Sequence, residues 1–227
     1  MEGATVRPAG RAVADLEGVT MRATKLRLIL AALFLSVAAP LAAQPVTFDL
    51  DSGTPALVTG GNLPVEQTAA GVTARFAAAP GSGSFSVQDR FSTGWVLSLF
   101  SGHYLLANGL GTNALDIAFS RPIRSVSLVF ATADFQQVET PTTVMLTAFS
   151  TTSGAGEVGS VTAHGTYSGD TMPMGVISFD SAGPPFGMVE ISVPFQPMGA
   201  SVFLVDNVSV VPAPLNRPVR RRIPRVP

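Results

Sequence analysis

The stretch ALDIAFSRPIRSVSLVFAT, residues 114–132, decides the fold class. In its first part Leu115, Ile117 and Phe119 alternate with Asp116, Ala118 and Ser120. In its second part Val126, Leu128 and Phe130 alternate with serines and small residues. A period of two sends successive side chains to opposite faces of an extended chain, so each part predicts a strand with one face on a core. Arg121-Pro122-Ile123-Arg124 predicts a tight link between two adjacent strands, 114–120 and 124–132.

The same period continues on both sides. Val144, Leu146 and Ala148 alternate with Thr143, Met145 and Thr147, and Val202, Leu204, Val208 and Val210 share one parity. Further strands are predicted at 46–51, 72–76, 84–88, 95–100, 143–150, 157–164, 175–180, 188–194 and 201–211. Turn-forming runs separate them, such as Asp51-Ser52-Gly53-Thr54-Pro55, Pro80-Gly81-Ser82-Gly83 and Ala182-Gly183-Pro184-Pro185. Many short strands and no helical period predict an all-β, antiparallel, jelly-roll-like β-sandwich, one domain over 44–211.

Composition narrows the chemistry. The chain has 227 residues, a net charge of -1, 46% hydrophobic residues, 13% charged residues and no cysteine. Without cysteine there is no disulfide framework, no thiolate nucleophile and no thiolate-held metal. Residues 44–216 hold four basic and twelve acidic residues, a net of -8, with no lysine. Such a domain lacks the positive surface that nucleic-acid phosphates require.

The two ends have their own character. Met21 opens a segment in which Arg22, Lys25 and Arg27 precede the apolar run Leu28–Ala39, then Pro40 and Leu41-Ala42-Ala43. This is the layout of a secretory signal peptide over 21–43, cleaved after Ala43, and it predicts a secreted or periplasmic protein. Residues 1–20 show no apolar period and predict a disordered leader or sequence upstream of the true start. From Pro212 onward prolines interrupt five arginines, which predicts a disordered basic tail over 212–227.

The segment Val46-Thr47-Phe48-Asp49-Leu50-Asp51 opens the domain, and Val205-Asp206-Asn207-Val208-Ser209-Val210-Val211-Pro212-Ala213-Pro214 closes it. Together they resemble the exported bacterial β-sandwich proteins of the PEP-CTERM type. In that family a similar Asp-Asn-Val strand leads to a Val-Pro-Glu-Pro-like tetrad, an apolar segment and an arginine cluster. Here Val211-Pro212-Ala213-Pro214 stands at the tetrad and Arg220-Arg221-Arg222 at the cluster, without the apolar segment between them. The resemblance therefore implies export without a stable membrane anchor. More remotely, the pattern is similar to galactose-binding-like and carbohydrate-binding jelly rolls, which implies contact with glycan or matrix.

Asp206 shares the parity of Leu204 and Val208, so a regular strand points its carboxylate inward, where it needs a cation or several donors. Two arrangements answer that need. One is a structural calcium ion held by Asp206 with Asp49 or Asp51 and backbone carbonyls. The other is a bulge at Asp206-Asn207, with backbone N–H groups on the carboxylate. The two histidines, His103 and His164, lie far apart in sequence and form no metal motif.

For ligands, flat rings that stack on pyranose faces are the relevant groups, and the rings with polar handles are Trp95, Tyr104 and Tyr167. No nucleophile motif or phosphate loop is legible, and the loop acids Asp134, Glu139 and Asp170 read as solvated. The expected function is a non-enzymatic exported module binding extracellular polysaccharide or matrix. A structural or adhesion protein acting through edge strands is the alternative. A hydrolase with an unrecognised site is the third reading.

Overall fold

The computed structural model describes residues 44–108, 112–135, 141–193 and 202–214. The predicted leader, signal peptide and arginine cluster, and the loop acid Glu139, lie outside the described residues. Eleven strands are present: β1 Val46–Phe48, β2 Val65–Ala69, β3 Val72–Ala78, β4 Ser84–Asp89, β5 His103–Asn108, β6 Ala114–Thr132, β7 Thr143–Phe149, β8 Glu157–His164, β9 Met174–Asp180, β10 Phe186–Ser192 and β11 Phe203–Pro212. All their pairings are antiparallel. The expected all-β, jelly-roll-like sandwich is what forms.

The decisive stretch is one strand, not two. β6 runs unbroken through Pro122 and changes partners on the way. Its first half pairs with β3 and β10, its second with β11 and β9. The expected tight link at Arg121–Arg124 is therefore a corner at which one strand passes from one layer to the other. Pro122 has no N–H to give a ladder, and the partners' registers break there: β10 shifts between Phe186 and Met188, and β11 between Val211 and Pro212. The resulting layers are β2-β3-β6-β10-β7-β8 and β4-β5-β11-β6-β9, with β1 on the other part of β11.

Between the layers lies the main core. Leu115, Ile117 and Phe119 enter it from one half of β6, and Ile123, Val126, Leu128 and Phe130 from the other. Phe48–Phe76 and Phe85–Phe203 meet edge to face at 6.4 and 5.5 Å. Burying each such ring is worth roughly 1.5–3 kcal/mol.

A second, smaller cluster lies on the outer surface of the β4-β5-β11-β6-β9 layer. It contains Tyr104, Ala131, Met172, Met174 and Leu204, roofed by Leu97 and Phe100 with Trp95 at its edge. The segment 95–100 is thus not the expected strand but a covering loop. Its polar backbone bonds go to another loop, with Val96 N–H donating to Thr171 Oγ1 (2.8 Å) and Ser98 N–H to Asp170 Oδ1 (2.9 Å). Two strands, β2 and β5, join those read from the sequence. The closing strand also runs one residue further than 201–211: Pro212 is part of β11, and Ala213 N–H donates to Pro122 O at 2.8 Å.

Candidate functional site

Asp206 explains how the covering loop is held. Phe203 and Val205 point into the main core, while Leu204 belongs to the outer cluster. Asn207 then adopts a left-handed conformation (φ 49°), and the register against β6 shifts between Asp206 and Ser209. This bulge returns Val208 and Val210 to the main core. Leu204 and Val208 therefore lie on opposite faces, contrary to the shared parity read from the sequence. Asp206 is fully buried, and its donors come from Ser101 and the adjacent Asn207. Ser101 N–H gives to Oδ2 (2.8 Å), Asn207 N–H to Oδ1 (2.7 Å) and the Asn207 side-chain amide to Oδ2 (3.2 Å). Burial pushes the carboxyl up to about 7 against these bonds, and the charges of Asp51 and Asp49 add to the push.

The three acids expected to hold calcium do come into one neighbourhood, but both oxygens of Asp49 and of Asp206, and Oδ1 of Asp51, accept internal hydrogen bonds. Asp49 Oδ1 accepts from Asp51 N–H (3.1 Å) and Ser52 N–H (2.8 Å), and Oδ2 from the Ser52 hydroxyl (2.6 Å). Burial alone would raise the Asp49 carboxyl, yet the Ser52 bonds hold it below the usual range. Asp51 Oδ1 accepts His103 N–H and meets His103 Nδ1, each at 2.8 Å. Gly102 lies so close to the Asp51 carboxylate, at φ 43°, that a Cβ there would collide with it. Among the described residues no set of three histidine or acidic side chains is arranged to hold a metal. The residues present do not fit the calcium site; the bulge with backbone donors is the arrangement that occurs.

The three expected ligand rings have different fates. Tyr104 is fully buried, set edge to face against Phe100 at 5.6 Å, with its hydroxyl on Thr93 Oγ1 at 3.2 Å. It lies beneath the covering loop and offers no face to a sugar, which corrects that expectation. Trp95 is half-buried at the cluster's edge, and its ring meets Phe135 at 5.8 Å and 55°. The Tyr167 hydroxyl donates to the carbonyl of Asp134, the residue before Phe135, at 2.7 Å. Trp95 and Tyr167 are therefore brought together through the 134–135 segment. Phe135 is 56% exposed and Phe91, in the turn after β4, 84% exposed; Val96 and Leu99 of the covering loop are exposed too. Sequence reasoning missed Phe91 and Phe135 because an isolated phenylalanine in a chain of fourteen reads as core.

The loop acids are anchors rather than solvated charges. Asp134 accepts from the Thr132 hydroxyl (2.8 Å), Thr142 N–H (2.9 Å) and the Thr142 hydroxyl (2.9 Å). Asp170 accepts from Ser98 N–H (2.9 Å) and the hydroxyls of Ser98 (3.1 Å) and Ser168 (2.5 Å). Burial opposes these bonds, but they hold the Asp170 carboxyl below its ordinary value. His164 Nδ1 lies 2.9 Å from Pro141 O, whereas His103 meets Asp51.

No protein-family model and no curated protein matches the chain. Solved structures similar to it include the K2 cleaved adhesin domain of Lys-gingipain, at 15% identity over 74% of this chain and 99% of that one (TM-score 0.49). The K1 cleaved adhesin domain of Lys-gingipain from Porphyromonas gingivalis is 12% identical over 75% of this chain and 99% of that one (TM-score 0.43). A carbohydrate-binding module from Cellvibrio mixtus lichenase 5A, in complex with cellotriose, is 9% identical over 77% of this chain and all of that one (TM-score 0.28). These are likenesses of fold. Among the described residues no helix is long and apolar enough to cross a membrane.

Proposed function

We propose that the chain is an exported, non-enzymatic module that binds extracellular polysaccharide through the aromatic surface of Trp95 and Phe135. The observation that supports this reading is a pair of rings held in contact at 5.8 Å, with Phe135 largely exposed, on loops anchored by Asp206, Asp170 and Asp134. Phe91, Val96 and Leu99 are also exposed in the connection between β4 and β5. Rings fixed before binding lose little conformational entropy when a flat pyranose face lies on them. The closing segment's resemblance to PEP-CTERM-type proteins supports export.

Retention of the purified protein on immobilised polysaccharides tests this. One or more polysaccharides should retard it, and Trp95→Ala or Phe135→Ala should abolish the retardation without unfolding the chain. Unchanged retention in both variants would sink the reading.

One observation favours the adhesion alternative. Among the described residues β8 pairs with β7 on one side only, and from Glu157 to His164 it carries no lysine or proline to block strand addition. Concentration-dependent assembly in light scattering, indifferent to sugars and abolished by Thr162→Lys, would favour that reading instead.

A further inference from the structure

The corner of β6 carries a cation unlike the others of the domain. Residues 44–216 hold four arginines and no lysine. Three of the guanidiniums are engaged: Arg75 with Glu66, Arg90 with the carbonyl of Phe100, and Arg124 with the carbonyls of Ser181 and Gly183. Arg121 has no hydrogen bond or ion pair among the described residues. It lies between two depressions at the corner, one of about 300 Å³ and one of about 340 Å³, and lines both. Two acids are near by register, Asp180 opposite Ser125 and Glu157 opposite Phe149, and neither lines either depression.

The smaller depression has built walls. On one side stands the turn from β7 to β8, closed by Ser150 N–H on Gly156 O (2.8 Å) and Ala155 N–H on Thr151 Oγ1 (3.0 Å). The turn packs down on Gly187, where a Cβ would crowd the Ser150 carbonyl at 3.3 Å and the Thr152 methyl at 3.4 Å. Glycine there lets the wall stand close. On the other side is the connection from β9 to β10. Ser181 N–H donates to Arg124 O (2.9 Å), and the Arg124 guanidinium donates back to Ser181 and Gly183, which holds the segment carrying Pro185. The buried rings of Phe119 and Phe186 form the floor. Pro122 and Pro185 give apolar edges, and Ser120 and Thr152 give exposed hydroxyls. Ser120 Oγ accepts from Thr73 N–H (2.8 Å), which leaves its own O–H to donate.

We propose that this depression binds an acidic sugar, a uronate unit whose carboxylate pairs with Arg121 while its ring lies against Pro122 and Pro185 and its hydroxyls meet Ser120 and Thr152. The inference rests on the carbohydrate-binding reading above for the sugar, and it adds a second site with its own ligand class. The planar guanidinium fork matches a carboxylate in a bidentate pair. One carboxylate suits the domain better than a polyanion does, because its net charge of -8 repels a ligand in proportion to that ligand's charge. A volume of about 300 Å³ stands at the lower end for ligand clefts, which suits a single sugar unit.

The test titrates the purified full chain with cellobiouronic acid, which ends in one uronate, and with neutral cellobiose, following backbone amide shifts by NMR. The acid should bind roughly tenfold more tightly, as a charge-assisted pair does, and should move the amides of Ser120, Thr152 and Gly187. Arg121→Gln should lose that preference with no fall in melting temperature, because the guanidinium holds nothing in the fold. Trp95→Ala should keep it. Equal binding of the two sugars, or an undiminished preference in Arg121→Gln, overturns the inference. If the amides that move are those of 91–99 and Trp95→Ala abolishes binding, the sugar lies on the loop surface; this inference then falls while the proposed function stands. Acetate, or a short peptide bearing one glutamate, bound as tightly as the acid and lost in Arg121→Gln, overturns the sugar class.

Discussion

The two outer surfaces of the sandwich differ although β6 contributes to both. In its second half the outward residues include Val129 and Ala131, and a loop roofs them with Leu97 and Phe100. In its first half the outward residues are Ala114, Asp116, Ala118 and Ser120, and the row includes a carboxylate. An apolar outward row gains from being covered, and a charged one loses hydration if it is. The outward parity of a strand thus decides which side of the molecule becomes a second core and which stays polar.

Substitutions on the covered side should cost most. Tyr104→Ala opens a cavity beneath the loop and should lower unfolding free energy by about 3–5 kcal/mol in a denaturant titration. A loss below about 1 kcal/mol would mean that the loop does not roof this surface in solution. Next comes the latch. Asp206→Ala leaves Ser101 N–H and the Asn207 donors unpaired, which should cost about 2 kcal/mol and hasten hydrogen exchange over 95–102. Unchanged exchange there would show that Asp206 does not hold the loop.

Protonation separates the two sides further. Both Asp206, raised to about 7, and Asp116, raised to about 6, bind a proton more tightly when folded than at the ordinary 3.8. Their combined contribution is therefore most favourable at and below the ordinary value, and it falls as pH rises through the two folded values. Asp206→Asn should flatten the melting-temperature profile between about pH 4 and 7, and Asp116→Asn should flatten it only up to about pH 6. Identical profiles for both variants and the wild type would contradict this. On the open side Asp116→Asn should also stabilise by about 0.5 kcal/mol at neutral pH, by removing a like charge opposite Glu190. That gain should fade towards about pH 4, where the carboxyl is protonated in the folded state. The smallest effect expected is none: a calcium chelator should leave the melting temperature unchanged. A fall would show that Asp49, Asp51 and Asp206 exchange their internal donors for a cation.

Much of the fold is legible in single residues. Leu115, Ile117 and Phe119 fix the inward face of the first half of β6 by alternation alone. β2 escapes such a reading because its one fully inward side chain is Gln67, which is polar. Residues 95–100 mislead because Trp95, Val96, Leu97 and Phe100 look like a buried strand, yet they spread between a roof over one outer surface and solvent. Of the candidate site, Trp95 and Tyr167 were legible as rings with polar handles, whereas Tyr104 has the same chemistry and lies beneath the roof. No local signal distinguishes them, because the difference depends on which strand each one faces.

The sequence by itself determined the strand class, the acidic and lysine-free domain, the absence of thiolate chemistry and the need for Asp206 to be satisfied. Each follows from residue identity or from a two-residue period, which are local properties. Tertiary structure alone decided that β6 turns a corner at Pro122, that Asn207 reverses the parity of β11, that Asp206 is held by the backbone, and that Asp116 meets Glu190. Those facts depend on register between strands far apart in the chain. Register is set by packing of the whole core against the corner and the bulge, and no short window of sequence contains it.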